Sequence, residues 1–386
     1  MNSKKMIWGF IVFIIYFLSG CSTPDFVDKI ENLDSKKDIY LSDLIIEGFE
    51  LEKTFPKDNT SCALVVPYKT ESIKIYPVKN SDKEEALVKL NGKEINSKKD
   101  FFKLQKYYIC EPLLDSNKIE ISYGEKNYEL YVDKEVVVKI ASWNIANLSN
   151  SKSDYELTKI SSIVGRYDLI AVQEVNDTLV LERIKALIPD YDYVATDGKV
   201  GSGGYAEYYC YFYKKSAINF EGASYLWNDE SDWFVREPFI ADFKAGNFSF
   251  TMINIHILYG NNETERRVEI QKLDDVIEDI LIKNPDEKDL ILVGDFNFSS
   301  DDIGWEVSRI GYTHTVDPTM KTTIKDVSSY DNLWYNPVYT KEFKELYEIY
   351  KFDEEIYLGD YSLAEREVSD HRPIGGIFIV NQVDAD

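Results

Sequence analysis

Three histidines stand in the whole chain. Two of them, His256 and His371, sit among carboxylates and carboxamides, in Ile253-Asn254-Ile255-His256 and Ser369-Asp370-His371-Arg372-Pro373. Glu174 and Asp370 are hard oxygen ligands, which suit magnesium or manganese better than zinc. Two imidazoles beside a hard-metal site suit a general acid and a general base around a phosphoryl centre. No cysteine or G-x-S-x-G elbow offers a rival nucleophile, so water is the expected attacking group.

These residues are scattered along the chain, so a body of alternating strands and helices has to gather them. Residues 136–142 form an apolar run leading to Asn144. Ser153 with Glu156 predicts a capping box, after which Leu157, Ile160 and Val164 recur at helical spacing. Residues 168–172 predict a strand leading to Gln173-Glu174, and a helix follows with Val180, Ile184, Leu187 and Ile188 on one face before Pro189. Residues 248–255 lead into His256. Leu273, Val276, Ile277, Ile280 and Leu281 define an amphipathic helix, and residues 290–293 lead to Asp295 and Asn297. Strand ends in a layered α/β body converge at one rim, which lets distant residues share a site.

Trp143-Asn144, Val172-Gln173-Glu174, Asn254-Ile255-His256, Gly294-Asp295-Phe296-Asn297 and Ser369-Asp370-His371 resemble, in sequence and order, the endonuclease/exonuclease/phosphatase superfamily. Further pieces resemble its deoxyribonuclease I branch: Tyr205-x-Glu207 before the strand-like 208–213, Arg236-Glu237-Pro238 before another strand, and Thr322-Thr323 just before Tyr330-Asp331. The resemblance implies an α+β fold, a four-layered α/β sandwich of two packed β-sheets flanked by helices. It implies Mg2+ or Mn2+ held by Glu174 with Asn144 and Asp370, and Ca2+ is a further candidate ion. It pairs His371 with Asp331 and His256 with Glu207, one imidazole as base and the other as acid, in either assignment. Asp295 and Asn297 would orient the nucleophile, Arg236 and Thr323 would contact the phosphate, and Tyr205 would contact the groove. The implied partner is nucleic acid, DNA foremost, met by a monomer. Two departures stand out. The family carries arginines two residues after the first Asn and two after the Gln-Glu pair, where this chain has Ala146 and Asn176. Duplex grip is therefore expected to be reduced, which leaves single-stranded DNA, RNA or a smaller phosphodiester open as the substrate.

The rest of the chain adds context. With 386 residues and 44% hydrophobic content the chain can bury a full core, and its formal charge of −24 argues against holding nucleic acid on a broad basic surface. Lys4 and Lys5, an uncharged run over 6–18, and Leu18-Ser19-Gly20-Cys21 read as an export signal. The last four residues resemble the lipobox of bacterial lipoproteins, which implies a lipidated Cys21 and a cell-envelope location. The expected organisation is a signal peptide over 1–20, a lipidated tether over 21–40, a β-sandwich over 41–133 and the catalytic body over 134–383. The β-rich runs 63–67, 72–78, 86–90, 118–123 and 128–132, with Asn91-Gly92 at a hairpin tip, support the small sandwich. It looks like the cadherin-like modules of bacterial surface proteins. Cys62 and Cys110 fall inside it and are candidates for a disulfide. His314 matches nothing, and the acidic 228–232 reads as a solvated loop. Two other readings compete: a sphingomyelinase or phosphoinositide phosphatase-like phospholipid hydrolase anchored at its substrate, and a surface binding protein that has lost activity.

Overall fold

The computed structural model describes residues 40–49, 61–81, 84–100, 105–260, 263–302, 307, 310–382 and 384. The export signal, Cys21 and the tether lie outside the described residues.

Alternating apolar positions build two small sheets first. β1 (Leu41–Ile46), β3 (Ile73–Lys79), β7 (Gln105–Cys110) and β6 (Lys98–Asp100) form one; β2 (Ser61–Val66), β9 (Lys126–Lys134), β8 (Ser116–Tyr123), β4 (Leu87–Leu90) and β5 (Lys93–Ile95) form the other. Ile75 of the first sheet and Val88, Ile119 and Leu130 of the second share one core, which makes a β-sandwich. Leu90 pairs with Lys93 across Asn91 and Gly92, whose φ values of 50° and 82° are those of a two-residue hairpin turn. The candidate disulfide does not form: Cys62 and Cys110 are both free thiols. They belong to different sheets, and burial pushes the Cys62 thiol up to about 11 and the Cys110 thiol up to about 12. Each fills its own place as a small hydrophobe.

The C-terminal body holds two six-stranded sheets. The first runs β12 (Tyr191–Ala195), β13 (Tyr208–Lys214), β11 (Leu169–Val175), β10 (Val137–Leu148), β21 (Ile374–Ile379) and β20 (Phe343–Ile349). The second runs β14 (Asn219–Leu226), β15 (Phe239–Ala245), β16 (Phe248–His256), β17 (Leu290–Asp295), β19 (Asp331–Tyr335) and β18 (Thr313–His314). Ile140, Leu169 and Tyr211 of one sheet pack on Phe243, Phe250, Met252 and Val293 of the other. The outer face of the first sheet is covered by α1 (Asp154–Val164), α2 (Leu179–Leu187) and Phe352 of α5 (Phe352–Glu355). The outer face of the second is covered by α3 (Glu263–Gln271) and α4 (Leu273–Lys283). This is the four-layered α/β sandwich. Each fully buried Leu, Ile or Phe in these layers contributes about 1.5–3 kcal/mol of transfer free energy.

Local signals set the element ends. Ser153 Oγ accepts from the Glu156 amide at 3.3 Å while Glu156 Oε2 accepts from the Ser153 amide at 2.7 Å, so both halves of the capping box are made. The buried face of α2 is Val180, Leu181 and Ile184; Leu187 turns to solvent because the helix ends there and Ile188 leaves helical geometry. β10 runs past its apolar stretch to Leu148, with a register shift after Asn144 where Ala146 and Asn147 take φ of 50° and 56°. Where β17 ends, Gly294 has φ 145°, and a Cβ there would meet the Ile255 carbonyl oxygen of β16 at 1.9 Å. Only glycine lets these two parallel strands close.

Gly294→Ala should therefore lower unfolding free energy by about 2 kcal/mol or more. The measurement is the urea midpoint against Gly198→Ala, a position with nothing within 4 Å of the added carbon. Equal midpoints would show that β16 and β17 separate there without cost.

Candidate active site

The site lies where the C-terminal ends of β10 and β11 in one sheet meet those of β16 and β17 in the other. Buried carboxamides stitch the two sheets together at that end. Gln173 Nε2 donates to Asn254 Oδ1 at 2.7 Å, Asn254 Nδ2 donates to the Val172 carbonyl at 3.3 Å, and Asn144 Nδ2 donates to Asp295 Oδ2 at 3.0 Å. The register then places His256 beside Asp295, and Asp295 beside Asp331 of β19.

Asp295 is the centre of the arrangement. Its Oδ2 lies 3.7 Å from Nε2 of His256 and 3.7 Å from Nε2 of His371. Its Oδ1 accepts from the Asn297 amide at 2.9 Å. Each ring is held on its far nitrogen by a separate acid: His256 Nδ1 lies 3.0 Å from Glu207 Oε2, and His371 Nδ1 lies 2.9 Å from Asp331 Oδ2. Donation from Nδ1 fixes each ring and leaves Nε2 as the nitrogen that faces the cleft. Burial alone would lower both histidines. For His256 the Glu207 carboxylate outweighs it and holds the ring above the ordinary imidazole value. For His371, Asp331 and Asp295 together hold it well above. Burial would raise Asp295, but the two imidazoles outweigh it and keep its carboxyl below the usual range.

A cleft of about 580 Å³ opens over these groups, lined also by Glu174, Asn147, Asn176, Arg236, Thr323 and Asp370. Glu174 stands in the left-handed region, φ 61°, and its two carboxylate oxygens accept from Asn144 Nδ2 and the Asn147 amide, each at 3.0 Å. A carboxylate has about four acceptor positions, so each of its oxygens can accept again. Five acids line the cleft: Glu174, Glu207, Asp295, Glu365 and Asp370. Glu207 is committed to His256, Asp295 to the imidazoles and Glu365 to Lys325, which leaves Glu174 and Asp370 as hard oxygen donors that could hold a divalent cation. Asn144 reaches the group through its neighbours: its Oδ1 accepts from the Ala146 amide and its Nδ2 serves the two carboxylates. A second acidic group, Asp289, Glu342 and Asp384, lies elsewhere in the body.

The structure thus brings together His256, His371, Glu207, Asp331, Asp295, Asn297, Glu174, Asp370, Asn144, Arg236 and Thr323. Residue 205 closes a single 3-10 turn ahead of β13, and the side chain of Tyr205 lies outside the described residues. Arg236 is only 3% exposed; its Nε donates to the His256 carbonyl at 2.9 Å and one Nη to the Ile257 carbonyl at 3.2 Å, so it braces the histidine strand as well as lining the cleft. The Thr323 hydroxyl is engaged with Ser328, whereas Thr322 Oγ1 donates to Asp331 Oδ2 at 2.7 Å. His314 sits apart, its ring edge-on to Trp334.

Several positioning roles escaped the sequence reading, although Thr322, Ser369 and Trp143 stand in the motifs themselves. Thr322 orients the acid behind His371. Ser369 Oγ donates to the Asn144 carbonyl at 2.7 Å and accepts from the His371 amide at 2.9 Å, and Trp143 Nε1 donates to the His371 carbonyl at 2.8 Å. Glu269 of α3, buried, accepts from the Val235 and Leu258 amides, each at 2.9 Å. Ser369 and Trp143 belong to the motifs Ser369-Asp370-His371 and Trp143-Asn144, which is a usable signal; nothing near Glu269 in sequence hints at its task.

Comparison with known proteins places this geometry. Residues 141–371 match the Endonuclease/Exonuclease/phosphatase family. The chain is 28% identical over 260 residues to "Deoxyribonuclease" of Thioalkalivibrio sp. (strain K90mix), covering 62% of this chain and 71% of that protein. It is 32% identical over 177 residues to "Deoxyribonuclease-1" of Rattus norvegicus, covering 42% of this chain and 60% of that protein, so the match spans less than two thirds of the rat relative. Among solved structures, the endonuclease/exonuclease/phosphatase from Bacteroides vulgatus aligns with a TM-score of 0.47 at 18% identity, over 63% of this chain and 98% of that one.

The charge state has a consequence for stability. Histidines raised in the fold stabilise it fully below about pH 6.5, their unfolded value, and that contribution is lost as pH rises through the folded values. The depressed Asp295 contributes above about pH 4 and is lost as pH falls. Asp331→Asn should therefore cost more stability at pH 6 than at pH 9 in urea titrations. An equal cost at both would mean that His371 is not an imidazolium in the fold.

Proposed function

The chain belongs to the endonuclease/exonuclease/phosphatase family, and we propose that its cleft hydrolyses phosphodiester bonds of DNA as a metal-dependent endonuclease. The observation that carries this reading is Asp295 Oδ2 set 3.7 Å from each of two Nε2 atoms, each ring backed by its own carboxylate. A single histidine-acid pair is common as structure. Two that converge on one cleft supply both proton transfers that hydrolysis by water requires.

The roles follow from the geometry. One imidazole takes the proton of the attacking water, and the other, as imidazolium, returns a proton to the leaving oxygen. Asp295 and Asn297 hold the water between the rings. A divalent cation such as Mg2+ or Mn2+ would be held by Glu174 with Asp370 and Asn144, and would supply neutralisation of the charge that grows on the phosphate oxygens. Without that positive charge, five lining acids would repel a phosphodiester anion.

The N-terminal sequence supports an exported protein, lipidated at Cys21 and held at the bacterial cell envelope by acyl chains, with the cadherin-like β-sandwich as a spacer or docking module. A monomer suffices for this chemistry, because one chain supplies every group named.

Purified residues 22–386 should degrade DNA with Mg2+ or Mn2+ and stop on chelation. His256→Ala and His371→Ala should each lower kcat by about 10²–10⁴, and the double variant should be little worse than either single one. If sphingomyelin or a phosphoinositide is cleaved while DNA survives, the phospholipid reading replaces this one. Cys21→Ser should move the protein from the membrane fraction to the soluble fraction of its host, as read by immunoblot.

A further inference from the structure

The rim of the cleft differs in kind from its floor. Among the described residues lining it, the Lys and Arg side chains are Arg236 and Lys325. Arg236 is buried against backbone carbonyls, and Lys325 Nζ pairs with Glu365 Oε2 at 2.8 Å. A duplex is gripped by its phosphates, on both strands, through cations at the edges of the site. Here both lining cations are engaged within the protein, and carboxylates, carboxamides and apolar side chains make up much of the remaining lining.

The apolar surface is placed with care. Tyr259 lines the cleft and is 63% exposed, and among the described residues its ring makes no hydrogen bond and stacks on no other ring. The backbone that carries it is nevertheless fixed. The Ile257 amide donates to the Asp295 carbonyl at 2.9 Å, the Ile257 carbonyl accepts from Asn297 Nδ2 at 2.8 Å, and the Leu258 amide donates to the buried Glu269 carboxylate at 2.9 Å. Tyr259 thus presents a flat ring immediately after two residues whose backbone is pinned to Asp295, Asn297 and Glu269. Tyr330 and Val327, the latter 66% exposed, add apolar surface to the same cleft from the loop that ends at Asp331.

Resting on the nuclease reading above, we propose that the cleft selects single-stranded over duplex DNA, with Tyr259 stacking an unpaired base next to the scissile phosphate. Every base offers a π-face, so such a platform grips a strand without reading its sequence, and the stacked base supplies contact energy that phosphate contacts, in a cleft poor in available cations, do not. In a duplex the same faces are covered by neighbouring base pairs and are unavailable to the ring. A cleft of about 580 Å³ is of a size that takes a ligand of nucleotide scale.

The test uses the full chain with Mg2+, a short single-stranded oligonucleotide, the same sequence as a duplex, and a single strand with abasic residues flanking the cleavage position. The expected results are a higher kcat/KM on the single strand than on the duplex, and a KM on the single strand raised roughly 10-fold by Tyr259→Ala. Tyr259→Phe should restore that KM, and the effect of Tyr259→Ala should vanish on the abasic strand. A merely structural role for Tyr259 would raise KM equally on both strands. Duplex cleavage equal to or faster than single-strand cleavage, or an unchanged KM for Tyr259→Ala, overturns the stacking assignment and leaves the nuclease reading intact. No cleavage of any DNA overturns both.

Discussion

The arrangement depends on one buried anion. Asp295 can remain ionised out of water because two imidazoles and an asparagine amide face its oxygens, and the imidazoles are held above their ordinary value, His371 the more strongly, because Glu207, Asp331 and Asp295 surround them. Removing one partner from such a group leaves an uncompensated charge in a low-dielectric interior, which costs about 3–5 kcal/mol. The carboxylates and imidazoles therefore stabilise one another's charged forms across the floor of the cleft.

Backbone geometry carries that constraint outward. Gly294 lets β17 come close enough to β16 for Asp295 and His256 to be neighbours. Glu174, Ala146, Asn147 and Asn297 all take left-handed φ values around the cleft, a strained arrangement that persists only where surrounding contacts over-determine it. On the far side, the fully buried Arg372 forms a fork with Asp353, at 2.8 and 2.6 Å, and its backbone amide donates to the Thr322 carbonyl. The loop that supplies Thr322 is thereby tied to the segment ahead of β21 that supplies His371.

Much of this was legible in sequence, for a physical reason. His256, Glu174 and Asp295 end apolar runs that had to be buried strands, and ends of buried strands in a layered body meet at one rim. Asn91-Gly92 was legible because few dipeptides tolerate two positive φ values in a row. Other features left no local trace. β6, Lys98–Asp100, is a short polar edge strand without an alternating pattern. Glu269 lies on a helix of charged residues, and only the fold shows which of them points inward. The fate of Cys62 and Cys110 depended on which sheet each strand joins, and spacing says nothing about that.

The fixed Nδ1 donors of His256 and His371 have one more implication. With that nitrogen committed on each ring, every proton gained or lost by an imidazole passes through Nε2, the atom facing Asp295. A centre stripped of both protons would present two nitrogen lone pairs and a carboxylate to one another, acceptors only, with nothing shared among them. Loss of either proton therefore removes a favourable charge from Asp295, so the carboxylate opposes the emptying of both rings.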